Sequence, residues 1–197
     1  SVEVLTEKVK KVTFDSINLF KATKESESIQ VQVKNSVESI QISINNLITH
    51  KDSISSLSNA LINDKITIDQ PSSLTLNNVG LKTAKLLLNL DSNSDNKNPL
   101  IQGNLNEIPE TFQISSVEGS PKENTDYSII KAVFNCNDWV SKLDISQVSF
   151  DNKKCREVNN DNARLLEDKV EELVLSKNKK KNKLSTGAII GIVVGCV

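Results

Sequence analysis

From residue 9 to about residue 90 the chain alternates apolar and polar residues with a period of two. The pattern appears at Val12-Thr13-Phe14, Ile17-Asn18-Leu19, Ile29-Gln30-Val31-Gln32-Val33 and Ile40-Gln41-Ile42-Ser43-Ile44. It returns at Ile66-Thr67-Ile68, Leu74-Thr75-Leu76 and Leu86-Leu87-Leu88-Asn89-Leu90. Successive side chains of a strand point to opposite faces, so this pattern describes strands buried on one side. Ile and Val fill the inward positions, as β-propensity favours. The runs begin roughly every 8 to 12 residues, the spacing of short-stranded all-β folds.

What joins the runs narrows the choice. Asn-Gly and Asp-Gly hairpin turns are absent, and connections such as Lys21 to Ser28 and Asp91 to Pro99 are long and polar. A solenoid tolerates such loops because they project from its coils, whereas a sandwich of hairpins calls for tighter turns. The expectation is therefore an all-β fold, a right-handed parallel β-helix, with the sandwich as its rival. Two segments stay open between helix and strand. They are Ile54–Ile62, with helical spacing at Ile54, Leu57 and Leu61, and residues 162–176, where Leu173-Val174-Leu175 favours a closing strand. Glycine is scarce, with Gly80, Gly103 and Gly119 alone outside the C-terminal apolar stretch. Asn pairs such as Asn45-Asn46 and Asn77-Asn78 are expected to take over its turn positions.

The end of the chain reads differently. Lysines crowd residues 177–183, and an uncharged run follows from Gly187 to Val197. That run reads as the start of a transmembrane helix, which needs about 20 apolar residues. The sequence starts at Ser1 without Met, so the expectation is an internal fragment of a larger anchored protein. Three regions result: a β-helix ectodomain over 1–176, a basic juxtamembrane linker over 177–186, and the start of a single span over 187–197. Gly187, Gly191 and Gly195 recur every four residues and share one helix face, which points to helix association and a homodimer.

Catalytic groups are sparse. His50 is the only histidine, and no Gly-x-Ser-x-Gly or second metal-binding His accompanies it. Arg occurs only at Arg156 and Arg164. Asp91 and Asp95 lack the glycine and terminal glutamate of an EF-hand loop. No catalytic residue, cofactor or metal is expected. Cys136 and Cys155 lack zinc spacing. They are read as a disulfide closing one loop in an oxidising exterior, against two unpaired thiols. Trp139 is read as a cap over the end of the core, against a ligand anchor. A net charge of -1 and 4% aromatic residues argue against nucleic acid as partner.

The strings "DKITIDQPSSLTLNNVGLKTAKLLLNL", "IQGNLNEIPETFQISSV" and "NTDYSIIKAVFNCNDWVSKLDISQVSFDN" resemble the last coils of autotransporter and polymorphic-membrane-protein β-helices. With "LVLSK" and "LSTGAIIGIVVGCV" after them, they look like the membrane-proximal end of large trichomonad surface proteins. The resemblance implies a non-catalytic cell-surface protein, an adhesin or a structural stalk. The resemblance further implies a single pass through the plasma membrane with the β domain extracellular. Its implied partners are membrane lipid and host-cell or matrix ligands. The lysine run taken alone places the β domain on the cytoplasmic side. Two rival readings follow: the spacer and anchor of a hydrolase whose catalytic domain lies upstream, or an intracellular tail-anchored protein.

Overall fold

A computed structural model describes residues 2–4, 11–21, 29–33, 41–93, 99–158 and 169–178. In chain order they form β1 (Val2–Val4), β2 (Lys11–Leu19), β3 (Ile29–Val33), β4 (Gln41–Thr49), β5 (Ile54–Asp69), β6 (Ser73–Gly80) and β7 (Lys85–Asp91). Then come β8 (Ile101–Asn104), β9 (Thr111–Glu118), β10 (Thr125–Val133), α1 (Cys136–Lys142), β11 (Leu143–Asp144), β12 (Asn152–Glu157) and β13 (Val170–Lys177). All thirteen strands belong to one sheet.

The sheet is built around β5. Its first half, from Ile54 to Leu61, pairs in parallel with β6, and its second half, from Lys65 to Asp69, pairs in parallel with β7. Two ladders diverge from there. One runs through β6, β8 and β10, the other through β7, β9 and β11. On the opposite edge of β5 lie β3 and β4, followed by β1 and β2, again in parallel. The inward residues of both ladders share one core. Ile44, Ile62, Ile66, Leu74, Leu86, Leu88 and Ile101 are fully buried in it. Burying one such side chain contributes about 1.5–3 kcal/mol, so this face is what holds the sheet in its curl.

The C-terminal strands return the other way. β13 lies antiparallel between β10 and β12. It is buried from Glu172 to Ser176, with covered residues on both faces. The segment Ile54–Ile62 is strand throughout, part of the 16-residue β5. Asn59 and Asn78 take positive φ of 54° and 53°, and Asn78 Nδ2 donates to Asn59 Oδ1 at 2.8 Å. Asparagine here occupies the left-handed conformation that glycine otherwise fills.

Two expectations are corrected. The right-handed parallel β-helix is replaced by a curled, half-barrel mixed sheet, mostly β, with parallel and antiparallel strands. Alternation reports which face of a strand is buried, and that is the same in a solenoid and in a curled sheet. It does not report direction, so the antiparallel β10–β13–β12 end is invisible to it. The single-pass membrane protein is also not supported. Among the described residues no helix is long and apolar enough to cross a membrane. The helix α1 has 7 residues and includes Asn137, Asp138, Ser141 and Lys142. At 1.5 Å per residue it spans about 10 Å, against about 30 Å of hydrocarbon. The run Gly187–Val197, with the Gly187, Gly191 and Gly195 face, lies outside the described residues, as does most of the basic linker.

Candidate functional site

Parallel pairing brings distant turns together at one corner of the sheet. Leu19 pairs with Thr49, so the residues that follow each, Phe20 and His50, emerge side by side. The His50 backbone N–H donates to Leu19 O at 2.8 Å, and this fixes the approach. The two rings stack with centroids 4.2 Å apart and planes 2° from parallel. Phe20 is 57% exposed, and Ile54, four residues beyond His50, is 61% exposed. These are the large hydrophobic residues that the described surface exposes. Between His50 and Ile54 lies a turn closed by Ser53 N–H donating to His50 O at 3.2 Å. Asp52 sits in it at φ 63°.

Polar groups surround the stack. His50 Nε2 is 3.2 Å from Asn18 Oδ1, and its Nδ1 lies 3.9 Å from Asp69 Oδ2. From Asp69 the contacts continue across the sheet. Asn89 Nδ2 donates to Asp69 Oδ1 at 2.7 Å, and Ser116 Oγ donates to Asn89 Oδ1 at 2.9 Å. Each residue sits at the matching register of the next parallel strand, so the side chains form a ladder. A second ladder runs from Asn63 through Asn45 to Asp15, with bonds of 2.9 and 3.3 Å. Lys51 forms an ion pair with Glu118, and the hydrogen bond to Glu118 raises the lysine pKa. Lys21 reaches Asp52 at 3.9 Å. Beneath the corner the core turns polar: Thr49, Ser53, Ser55 and Ser72 are buried, with Thr49 Oγ1 3.3 Å from Ser72 Oγ.

His50 and Asp69 thus form an imidazole–carboxylate pair. In serine- and cysteine-type catalysis a hydroxyl or thiol stands next to such an imidazole. The groups around this one are an amide, a carboxylate and a phenyl ring. Ser116 stands at the far end of the ladder with Asn89 between. Asp91 accepts from Asn93 N–H at 2.9 Å, and Asp95 lies outside the described residues. Among the described residues no group of three or more His, Cys, Asp or Glu is placed to hold a metal ion.

The remaining singled-out residues lie at the other end of the sheet. Cys136 and Cys155 are joined by a disulfide that ties the first turn of α1 to β12, with Cα atoms 5.9 Å apart. Trp139, on α1, is 1% exposed. Its ring meets Phe112 and Phe134 edge to face at 5.4 and 5.8 Å. Asn135 caps the helix, accepting from Asp138 N–H, and Glu171 Oε2 accepts from Cys136 N–H at 2.8 Å.

The Phe20–His50 stack has a sequence signal. Val12, Phe14 and Ile17 repeat as Ile42, Ile44 and Leu47 thirty residues later, the separation seen between Asp15 and Asn45. Aligning those runs places Phe20 beside His50. No protein family, no curated protein and no solved structure matches this chain.

Proposed function

We propose that this chain is a non-catalytic β scaffold that works by surface contact, as an adhesive or structural element where thiols are oxidised. The observation that carries the reading is the exposed Phe20–His50 stack, with exposed Ile54 four residues along the chain from His50, at a corner laced by hydrogen-bonded polar side chains. Exposed apolar groups clustered on a polar surface mark places of contact with other molecules. Anchored directly at strand ends, such groups lose little conformational entropy on binding. The partner class is a host-cell or matrix surface. The resemblance to trichomonad surface proteins belongs to the same proposal and supports the adhesive side of it. The Cys136–Cys155 bond supports the oxidising setting.

The test is capture of cells and of matrix proteins on beads coated with the chain. Phe20→Ser and Ile54→Ser, each checked for native circular dichroism, are expected to reduce capture together. Capture unchanged by both overturns the corner as the contact site. Turnover in an activity screen that disappears in His50→Ala overturns the non-catalytic reading.

A further inference from the structure

The two ends of the sheet are finished differently. At one end β10 is covered by antiparallel β13 and β12, with α1 and the disulfide over them. At the other, β2 pairs with β4 alone among the described residues. Among the described residues one edge of β2 therefore has no ladder partner, which makes it a template for another strand. The core is also unfinished there. Val12, Phe14 and Ile17 point inward but stay half-buried, while their β4 partners Ile42, Ile44 and Leu47 are 1%, 0% and 0% exposed. An added strand would complete both the ladder and the core.

The sequence of β2 selects the occupant. We infer that β2 pairs edge to edge with β2 of a second copy, antiparallel and centred on Thr13. In that register Lys11 faces Asp15, Val12 faces Phe14, Thr13 faces Thr13, and the two-fold axis repeats each contact. Lys11, Thr13 and Asp15 are exposed on the outer face, and Val12 and Phe14 lie on the inner one. The outer face thus gains two opposite-charge pairs, and the inner face gains two aliphatic–aromatic pairs. Both kinds of cross-strand pair are favourable. A parallel second copy in register sets Lys11 against Lys11 and Asp15 against Asp15. A staggered parallel copy makes an open filament in place of a closed dimer. An edge protected against pairing commonly carries unmatched charges, lysine above all, or proline. This one carries both signs at positions that match each other about Thr13. The pairing stops at Asp15, because Asp15 and Ser16 are both exposed and the alternation breaks there. The contact is short, and the dimer it makes is weak and reversible.

Sedimentation of the full chain in the high micromolar range tests this. The native chain is expected to show a concentration-dependent dimer. Lys11→Glu sets a second carboxylate against Asp15, and Asp15→Lys sets a second ammonium against Lys11. Each alone is expected to weaken association at least about tenfold. An equimolar mixture of the two restores opposite charges at both pairs and is expected to dimerise like the native chain. Thr13→Cys in a Cys196→Ser background is expected to cross-link between chains under mild oxidation, since facing residues of an antiparallel pair lie about 4.5–5.5 Å apart, within disulfide reach. A native chain that stays monomeric overturns the proposal. So does a dimer that neither charge variant weakens, which assigns association elsewhere, including the Gly187, Gly191 and Gly195 run that these variants leave intact. Folded single variants whose mixture fails to recover, with no Thr13→Cys cross-link, also reject the register.

Discussion

Arg156 Nε lies 2.6 Å from Glu172 Oε2, across the antiparallel β12–β13 pair. The glutamate side chain is 11% exposed and the arginine 46%. Arg156 also reaches Asp126 Oδ2 at 3.3 Å, and Ser128 Oγ donates to Glu172 Oε1. Burial pushes the Glu172 pKa up, but the hydrogen bonds from Arg156 and Ser128 outweigh it and hold the carboxyl below the usual glutamate range. A depressed carboxylate stabilises the fold above its unfolded pKa, and that contribution disappears as pH falls through the folded value.

The first prediction follows from that sign. Arg156→Ala leaves Glu172 mostly buried without its cation, and is expected to cost about 1–2 kcal/mol at pH 7, between the exposed and buried limits for ion pairs. Without the guanidinium, burial dominates and the glutamate protonates at higher pH. The Tm gap between the native chain and the variant should therefore be widest at neutral pH and shrink as pH falls below the glutamate range. Thermal melts from pH 7 to pH 3 decide it. A gap that does not change with pH removes Glu172 from the explanation.

The Cys136–Cys155 bond closes a loop of sequence separation 19 that contains α1, β11 and the approach to β12. In the chain-entropy account such a loop is worth about 3 kcal/mol, because the cross-link restricts the unfolded chain. Cys155→Ser is expected to lower denaturant stability by about that amount while the strand signal in circular dichroism persists. An unchanged denaturation midpoint would show that the bond contributes nothing to the fold.

Strand content and burial were legible because both are local. The alternation at Ile29–Val33 and at Leu86–Leu90 marks strands, and those segments are β3 and β7. Strand direction was not legible. Leu173, Val174 and Leu175 are all buried because β13 is covered on both faces, and a continuous apolar run carries no sign of which way it pairs. The stack of Phe20 on His50 depends on the parallel register of Leu19 with Thr49, a long-range fact. Only the thirty-residue repeat of the apolar pattern hints at it. The cysteine spacing favours a disulfide over two free thiols but does not show how the two residues meet. What brings Cys136 to Cys155 is α1 packing on β12, after a helix start that depends on Asn135.

Trp139 ties α1 to both the strand and loop aromatics. At 1% exposure it contacts Phe112 of β9 and Phe134, which follows β10. Trp139→Ala is expected to cost about 3–5 kcal/mol, the range for deleting a buried large aromatic with incomplete collapse around the cavity. The loss should concentrate at this end. Hydrogen exchange is predicted to accelerate in β9 to β13 more than in β4 to β6. Uniform acceleration would mean that α1 is not a separate keystone of that end.

The last prediction contrasts two glycines of neighbouring strands. Gly103 in β8 has φ +108°, outside the range that L side chains favour. A Cβ there would lie 2.1 Å from Leu76 O and 2.9 Å from Leu76 C, both backbone atoms of its ladder partner β6. Neither atom can move without breaking the ladder. Gly80, at the end of β6, would overlap a side-chain tip alone: its Cβ would lie 2.8 Å from Leu61 Cδ1, which a rotamer change relieves, while Glu107 Oε2 at 3.5 Å and Leu61 Cα at 3.9 Å are ordinary contacts. Gly103→Ala therefore combines backbone strain with a steric overlap, at about 3 kcal/mol or more. That corresponds to a Tm drop of roughly 6–12 °C in a chain of this size. Gly80→Ala is expected to stay within about 1 kcal/mol of native, because the entropy it removes from the unfolded chain offsets the crowding. Paired thermal melts of the two variants separate the cases. Equal losses would show that Leu76 O does not confine Gly103, and that the β6–β8 pairing is looser than its register implies.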